Sequence, residues 1–168
     1  MKKMIVALIL SAVLVGCGGG PTGSGNAAAT KAPTPTPTEA PAVEEVDIDI
    51  DKCFEAMKAA NVLASYDIFR DFYIAMGSNG AINISIVANE AADPNKVLEY
   101  THMLIKDLNW YAQQQDPSIE SSSSDSYGGL YDRYNALVGV STPSTVSDTD
   151  KWLIYDGITT STQFVDLK

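Results

Sequence analysis

Hydrophobic and polar positions follow three regimes along this chain. From Met4 to Val15 nearly every residue is apolar. As a helix this run would span about 18 Å at roughly 1.5 Å per residue. That falls short of a hydrocarbon core of about 30 Å, so behind Lys2 and Lys3 it reads as the apolar region of a signal sequence. From Gly18 to Val46 there is no period: the stretch holds five of the eight prolines, five of the twelve glycines and no aromatic residue. From about Asp47 the apolar residues become periodic, and all 14 aromatics lie beyond that point.

The periodic part predicts specific elements. Asp51 to about Leu63 reads as a helix with Asp51 as N-cap, and Cys53, Met57 and Ala60 recur at helical spacing. Val62, Tyr66, Phe69, Tyr73 and Met76 then repeat at spacings of four and three, which predicts a second amphipathic helix stopped by Gly77-Ser78-Asn79-Gly80. Ile82, Ile84 and Ile86 alternate with Asn83, Ser85 and Val87, the period of a strand. Asp93-Pro94 suits a helix start, and Val97, Thr101, Leu104, Leu108 and Tyr111 would share a face. The same run also alternates as a strand would, with His102, Leu104, Lys106, Leu108 and Trp110 on one side. Periodicity leaves 94–115 open, while residue propensity favours helix. Ser118–Gly129 is polar and serine-rich, a loop or an exposed edge strand. Ala136–Ser141 and Trp152–Ile158 read as strands joined by a loop over Pro143–Asp150, and Thr159–Leu167 as a last edge strand. The expected fold class is α+β, with N-terminal helices packed on an antiparallel sheet.

The first two regimes acquire a meaning at their junction. The apolar run ends in Leu14-Val15-Gly16-Cys17, which resembles the lipobox of bacterial lipoprotein precursors: an aliphatic residue three places before the cut, small residues next to it and a cysteine after it. The resemblance implies that residues 1–16 are a signal peptide removed before Cys17, and that the Cys17 thiol carries diacylglycerol. It also implies attachment to the cell membrane on its extracytoplasmic face. Buried lipid contributes about 0.8 kcal/mol per CH₂, so two chains hold where one is marginal. Gly18 rather than Asp follows the cysteine, so the usual inner-membrane retention signal of a two-membrane bacterium is missing. Residues 17–46 then form an anchored, disordered tether. Its glycines are flexible, and the alternating Pro and Thr of residues 33–38 favour extended polyproline II. Fully extended at about 3.1 Å per residue, the linker would reach roughly 90 Å.

A second resemblance concerns the domain at 47–168. Phe69-x-x-Phe72, a glycine turn, Ile84-Ser85-Ile86-Val87, Asp93-Pro94 and Ile105-Lys106-Asp107-Leu108-Asn109-Trp110 follow one another as in an uncharacterised domain of Firmicutes lipoproteins. That domain has a short helix followed by antiparallel strands, which would make 103–111 a strand. In this chain about ten residues separate Pro94 from the Ile-Lys-Asp-Leu segment, where that family has the two adjacent. No activity is implied.

Charge and composition narrow the chemistry. The chain carries a net charge of -10. Residues 47–168 hold 18 acidic and 8 basic side chains and account for all of it. Such a surface is unsuited to nucleic acid, whose binding depends on neutralising phosphates. The whole sequence has one His and two Cys and lacks G-x-S-x-G, H-E-x-x-H, C-x-x-C and P-loop motifs. No catalytic or metal-ligating set and no cofactor is expected. His102, flanked by Glu99 and Lys106, reads as an exposed histidine; Cys53, left without an intrachain partner once Cys17 is lipidated, reads as a small buried hydrophobe. Asp47, Asp49 and Asp51 have the spacing that opens a calcium loop, but Lys52 and Lys58 stand where Gly and Glu are needed. The candidate ligand surface is aromatic: Trp110, Tyr127, Tyr131 and Tyr134, with Tyr111, around Gly128-Gly129. The sequence therefore points to a surface-displayed binding or protein-interaction module, with the membrane as one partner and an envelope protein or glycan as the other. A small cell-envelope hydrolase and a purely structural envelope protein are the alternatives.

Overall fold

The computed structural model describes residues 46–160 and Leu167. The signal segment, Cys17, the tether and most of the expected last strand lie outside the described residues. Those described fall in one unit, Val43–Lys168.

Helix α1 runs from Ile50 to Ala59, with its N-cap two residues before the expected one and its end about four residues short of Leu63. Asp49, not Asp51, is the N-cap; its carboxylate accepts the Lys52 N–H at 3.0 Å. The shift follows from the buried face, because Ile50, Cys53, Phe54 and Met57 sit at i, i+3, i+4 and i+7. Asn61, at φ 53°, takes the chain out of the helix into a short 3-10 turn, Val62–Ser65.

The expected second helix is a strand, β1, Phe69–Met76, paired antiparallel with β2, Ile82–Ala88. The helical stripe was a coincidence of spacing. Two of its members, Tyr73 and Met76, are exposed at 59% and 37%, whereas Phe72 and Ile74, which the stripe omitted, are buried. A strand puts Phe72 and Ile74 on the face of the β2 isoleucines, directly opposite Ile86 and Ile84. Tertiary pairing thereby outweighs a local period. The Gly77–Gly80 segment is the hairpin turn, and Ile82, Ile84 and Ile86 are buried as their alternation predicts.

Helix α2, Pro94–Gln113, settles the ambiguous segment. Asp93 caps it through the Asn95 N–H at 2.8 Å, with Pro94 at its start. Leu104 with Ile105, and Leu108 with Asn109, are buried as adjacent pairs. A strand would send one of each pair to the opposite face, so the strand implied for 103–111 is not found. The segment Ser118–Gly129 is a loop, followed by a one-turn helix α3, Leu130–Arg133. Strand β3, Ala136–Ser141, and strand β4, Ile154–Ile158, complete the sheet; a 3-10 turn, Thr149–Lys151, ends the loop between them.

The sheet order is β1-β2-β3-β4. Both hairpins are antiparallel, but β2 and β3 are parallel. The expectation of an antiparallel sheet is therefore corrected to a mixed one within the α+β class. Helix α2 is the reason: it lies between β2 and β3, and a helical crossover returns the chain in its original direction. The core joins Ile74, Ile84, Val138 and Ile154 from the sheet to α1 and α2. Phe54 of α1 meets Phe72 edge-on at 5.5 Å. The Gln115 side chain ties the end of α2 to the start of α1, donating to Asp49 O at 2.8 Å and accepting the Asp49 N–H at 3.0 Å. Among the described residues no helix is long and apolar enough to cross a membrane.

Candidate functional site

The four aromatic residues expected to form a ligand surface are not brought together on one. Tyr127 is 0% and Tyr131 2% exposed, and their rings meet edge-on at 5.8 Å inside the core. The Tyr131 hydroxyl donates to Ile105 O at 2.9 Å, and the Tyr127 hydroxyl lies 2.6 Å from His102 Nδ1. Tyr134 is half-buried; its hydroxyl donates to Asp47 at 2.6 Å and accepts the Ile48 N–H at 3.2 Å. Of the four, Trp110 is the exposed one, on the outer side of α2 and edge-on to Tyr111 at 4.8 Å.

The glycines between these tyrosines explain the inward turn. Gly128, at φ +100°, passes so close to α2 that a Cβ there would stand 2.2 Å from the Asn109 side chain. Asn109 in turn donates to Glu120 O at 3.0 Å and accepts the Leu130 N–H at 2.9 Å. Glycine permits this approach, and the clamped loop carries Tyr127 and Tyr131 into the core with it. His102 is correspondingly half-buried and bonded to Tyr127, not the exposed side chain expected.

The acidic groups near the domain start have structural partners. Asp49 caps α1 and pairs with Lys52 at 2.9 Å, and Asp47 holds Tyr134. Their placement gives no calcium-loop geometry, and among the described residues no three His, Cys, Asp or Glu side chains are grouped to hold a metal ion. Cys53 is 1% exposed, as its helical neighbours suggested, with Gln115 Nε2 at 3.1 Å from its sulfur. Burial pushes its thiol up to about 11, against the stabilising Gln115 contact. Asp107, which accepts the Tyr66 hydroxyl at 2.5 Å, is held above the usual carboxylate range by burial.

The face of the sheet opposite the isoleucines carries a different aromatic surface. Strand register aligns Tyr73, Ser85, Gly139 and Tyr155 in one cross-strand row, with Ala75, Asn83, Leu137 and Gly157 in the next. Leu137 and Tyr155 are exposed there, Tyr155 at 52%, whereas the exposed Tyr73 ring meets Phe54 of α1 edge-on at 5.3 Å beside the sheet edge. Trp152 lies across the sheet where Gly139 leaves room; a Cβ on Gly139 would fall 2.1 Å from its ring. The indole N–H donates to Thr145 O at 3.1 Å, and Tyr155 stands edge-on to the indole at 5.5 Å. Together with Asn83, Ser85, Leu137 and Thr149 they line a shallow hollow of about 160 Å³ with no charged side chain in its wall.

The loop that delivers Trp152 is anchored to the rest of the domain. Glu90, after β2, accepts the Ser144 N–H at 2.8 Å and the Ser144 hydroxyl at 2.9 Å. Those two bonds hold the Glu90 carboxyl below its usual range. Sequence reading missed this surface for two reasons. Trp152 and Tyr155 are separated from Tyr73 by about 80 residues, and Gly139 has no side chain to mark the place where the indole rests. The alternation of Tyr155 between Ile154 and Asp156 was the available signal. Comparison of the chain with protein-family models, with curated proteins and with solved structures gave no match.

Proposed function

We propose that the chain is a lipid-anchored lipoprotein of the extracytoplasmic membrane face whose domain, 47–168, binds an envelope protein or glycan through the open face of its sheet. The observation that carries the binding reading is the set Leu137, Trp152 and Tyr155 on that face. When one face of a sheet meets water, its outward residues are ordinarily polar. Here large apolar and aromatic groups are exposed among Asn83 and Ser85, the mixture of flat rings and small hydrogen-bonding groups that suits a sugar ring or a partner's apolar surface. The lipobox residues Leu14-Val15-Gly16-Cys17 support the anchor, and the Pro/Thr tether supports display away from the bilayer.

Two variants separate the anchor from the binding surface. Cys17→Ser is expected to abolish labelling by a fatty-acid probe and release the protein from the membrane fraction; persistent lipid label would refute the anchor. Tyr155→Ala is expected to leave lipid labelling and folding intact and to reduce recovery of crosslinked partner from intact cells about tenfold, a loss of roughly 1.4 kcal/mol. Unchanged recovery would remove the sheet face from consideration.

A further inference from the structure

Among the described residues β1 is one of the two outer strands of the sheet. The turn fixes which of its backbone groups face outward. The Gly77 N–H donates to Ala81 O at 2.8 Å, so the pairs in step with it, Ala75 with Asn83 and Tyr73 with Ser85, are the hydrogen-bonded ones. Phe72, Ile74 and Met76 therefore turn their N–H and C=O groups away from β2. The Phe72 N–H bears this out: it is met at 2.9 Å by the carboxylate of its neighbour Asp71. Beside this edge, between β1 and α1, lies a hollow of about 540 Å³ whose apolar wall is Phe54, Val62, Leu63, Phe72 and Tyr73. Two of the charges around it cancel, since Lys58 pairs with Glu55 at 3.3 Å. Asp71, also on the rim, has no cationic partner among the described residues.

We propose that the β1 edge and its hollow bind an extended peptide segment of a partner protein as an added strand, with apolar residues alternating with basic ones. The backbone groups of Ile74 and Met76 supply the pairing, and the period of two supplies the selectivity. A residue of the added strand on the face of Phe72 and Ile74 points toward α1 and enters the hollow, which asks for an apolar side chain. Its neighbours meet Asp71 at the rim of the hollow, where the uncompensated carboxylate, lying at the strand edge on the Phe72 N–H, asks for Lys or Arg. The net charge of -10 favours the same partner at longer range. Asp71 has a second effect: by holding the Phe72 N–H it blocks one outward donor against indiscriminate strand pairing. A basic side chain draws that carboxylate away and exposes the donor to a matching segment.

The experiment is an NMR titration of the isotope-labelled full chain at about 0.15 M salt, where long-range attraction is screened beyond about 8 Å. The probe is an acetylated, amidated heptapeptide of alternating lysine and valine; its comparators carry glutamate for lysine or N-methyl groups on alternate backbone amides. Shifts confined to Phe72–Met76, the facing side of α1 and Val62–Leu63 are expected, with the glutamate peptide and the Asp71→Lys variant each weakening binding about tenfold. N-methylation is expected to abolish binding, as is Met76→Pro, which removes an outward donor without taking a bond from β2. Equal binding of the N-methylated peptide would mean charge adsorption and overturn the proposal. So would shifts elsewhere on the surface, or none with about 1 mM peptide. Tyr155→Ala is expected to leave this titration unchanged, so failure here and failure of the open-face reading are distinguishable.

Discussion

Burial decides what individual reactive side chains can do. Cys53 is 1% exposed and its thiol is raised to about 11, chiefly by desolvation. Since the thiolate is the reacting form, the folded protein is expected to leave Cys53 unlabelled by Ellman's reagent at pH 8, with full labelling in denaturant; rapid native-state reaction would contradict this. Asp116 shows the opposite shift. Hydrogen bonds from Ser118, then Arg133 at 2.8 Å, lower its carboxyl to about 2. Its folded value lies below the unfolded one of about 3.9, so its stabilisation is complete above that value and is lost as pH falls from about 4 toward 2. Urea unfolding of the wild type and Asp116→Asn across that window checks the sign: the variant is expected to lose less stability on acidification. Tyr127 and Tyr131 show why residue type alone misplaced the ligand surface. A tyrosine beside polar neighbours looks exposed in sequence, but the neighbours here line a loop clamped to α2 through Asn109 and Gly128.

At the scale of elements, legibility followed the number of independent signals. Strand β2 had an alternating isoleucine face, and α2 had a cap, a proline start and a buried stripe. Strand β1 had a misleading stripe, and its true face, Phe72 and Ile74, became recognisable only opposite Ile86 and Ile84. The Asp93 cap gives an element-level prediction: Asp93→Ala is expected to cost about 1 kcal/mol in urea unfolding, because it frees the Asn95 N–H. No change in the midpoint would show that the cap bond does not operate in solution. The deeper Ile84→Ala is expected to cost about 2–5 kcal/mol by opening a cavity in the isoleucine layer.

For the whole molecule, the α+β class and the positions of β2, β3 and β4 were readable, while β1 and the parallel β2–β3 pairing were not, because pairing partners far apart in sequence leave no local mark. The same reason hid the open face. Its row Tyr73, Ser85, Gly139 and Tyr155 draws one residue from each of four strands. The buried Ile side and the open side give the domain one face committed to its own core and another that leaves Leu137 and Tyr155 exposed. With the anchor proposed at Cys17, that open face would be presented to the cell envelope. Photocrosslinking in intact cells tests this most directly, with benzoylphenylalanine placed at Tyr155 in one strain and at the exposed Glu99 of α2 in another. The account predicts a discrete crosslinked species from position 155 and none from position 99; equal crosslinking at both sites, or none at position 155, would contradict it.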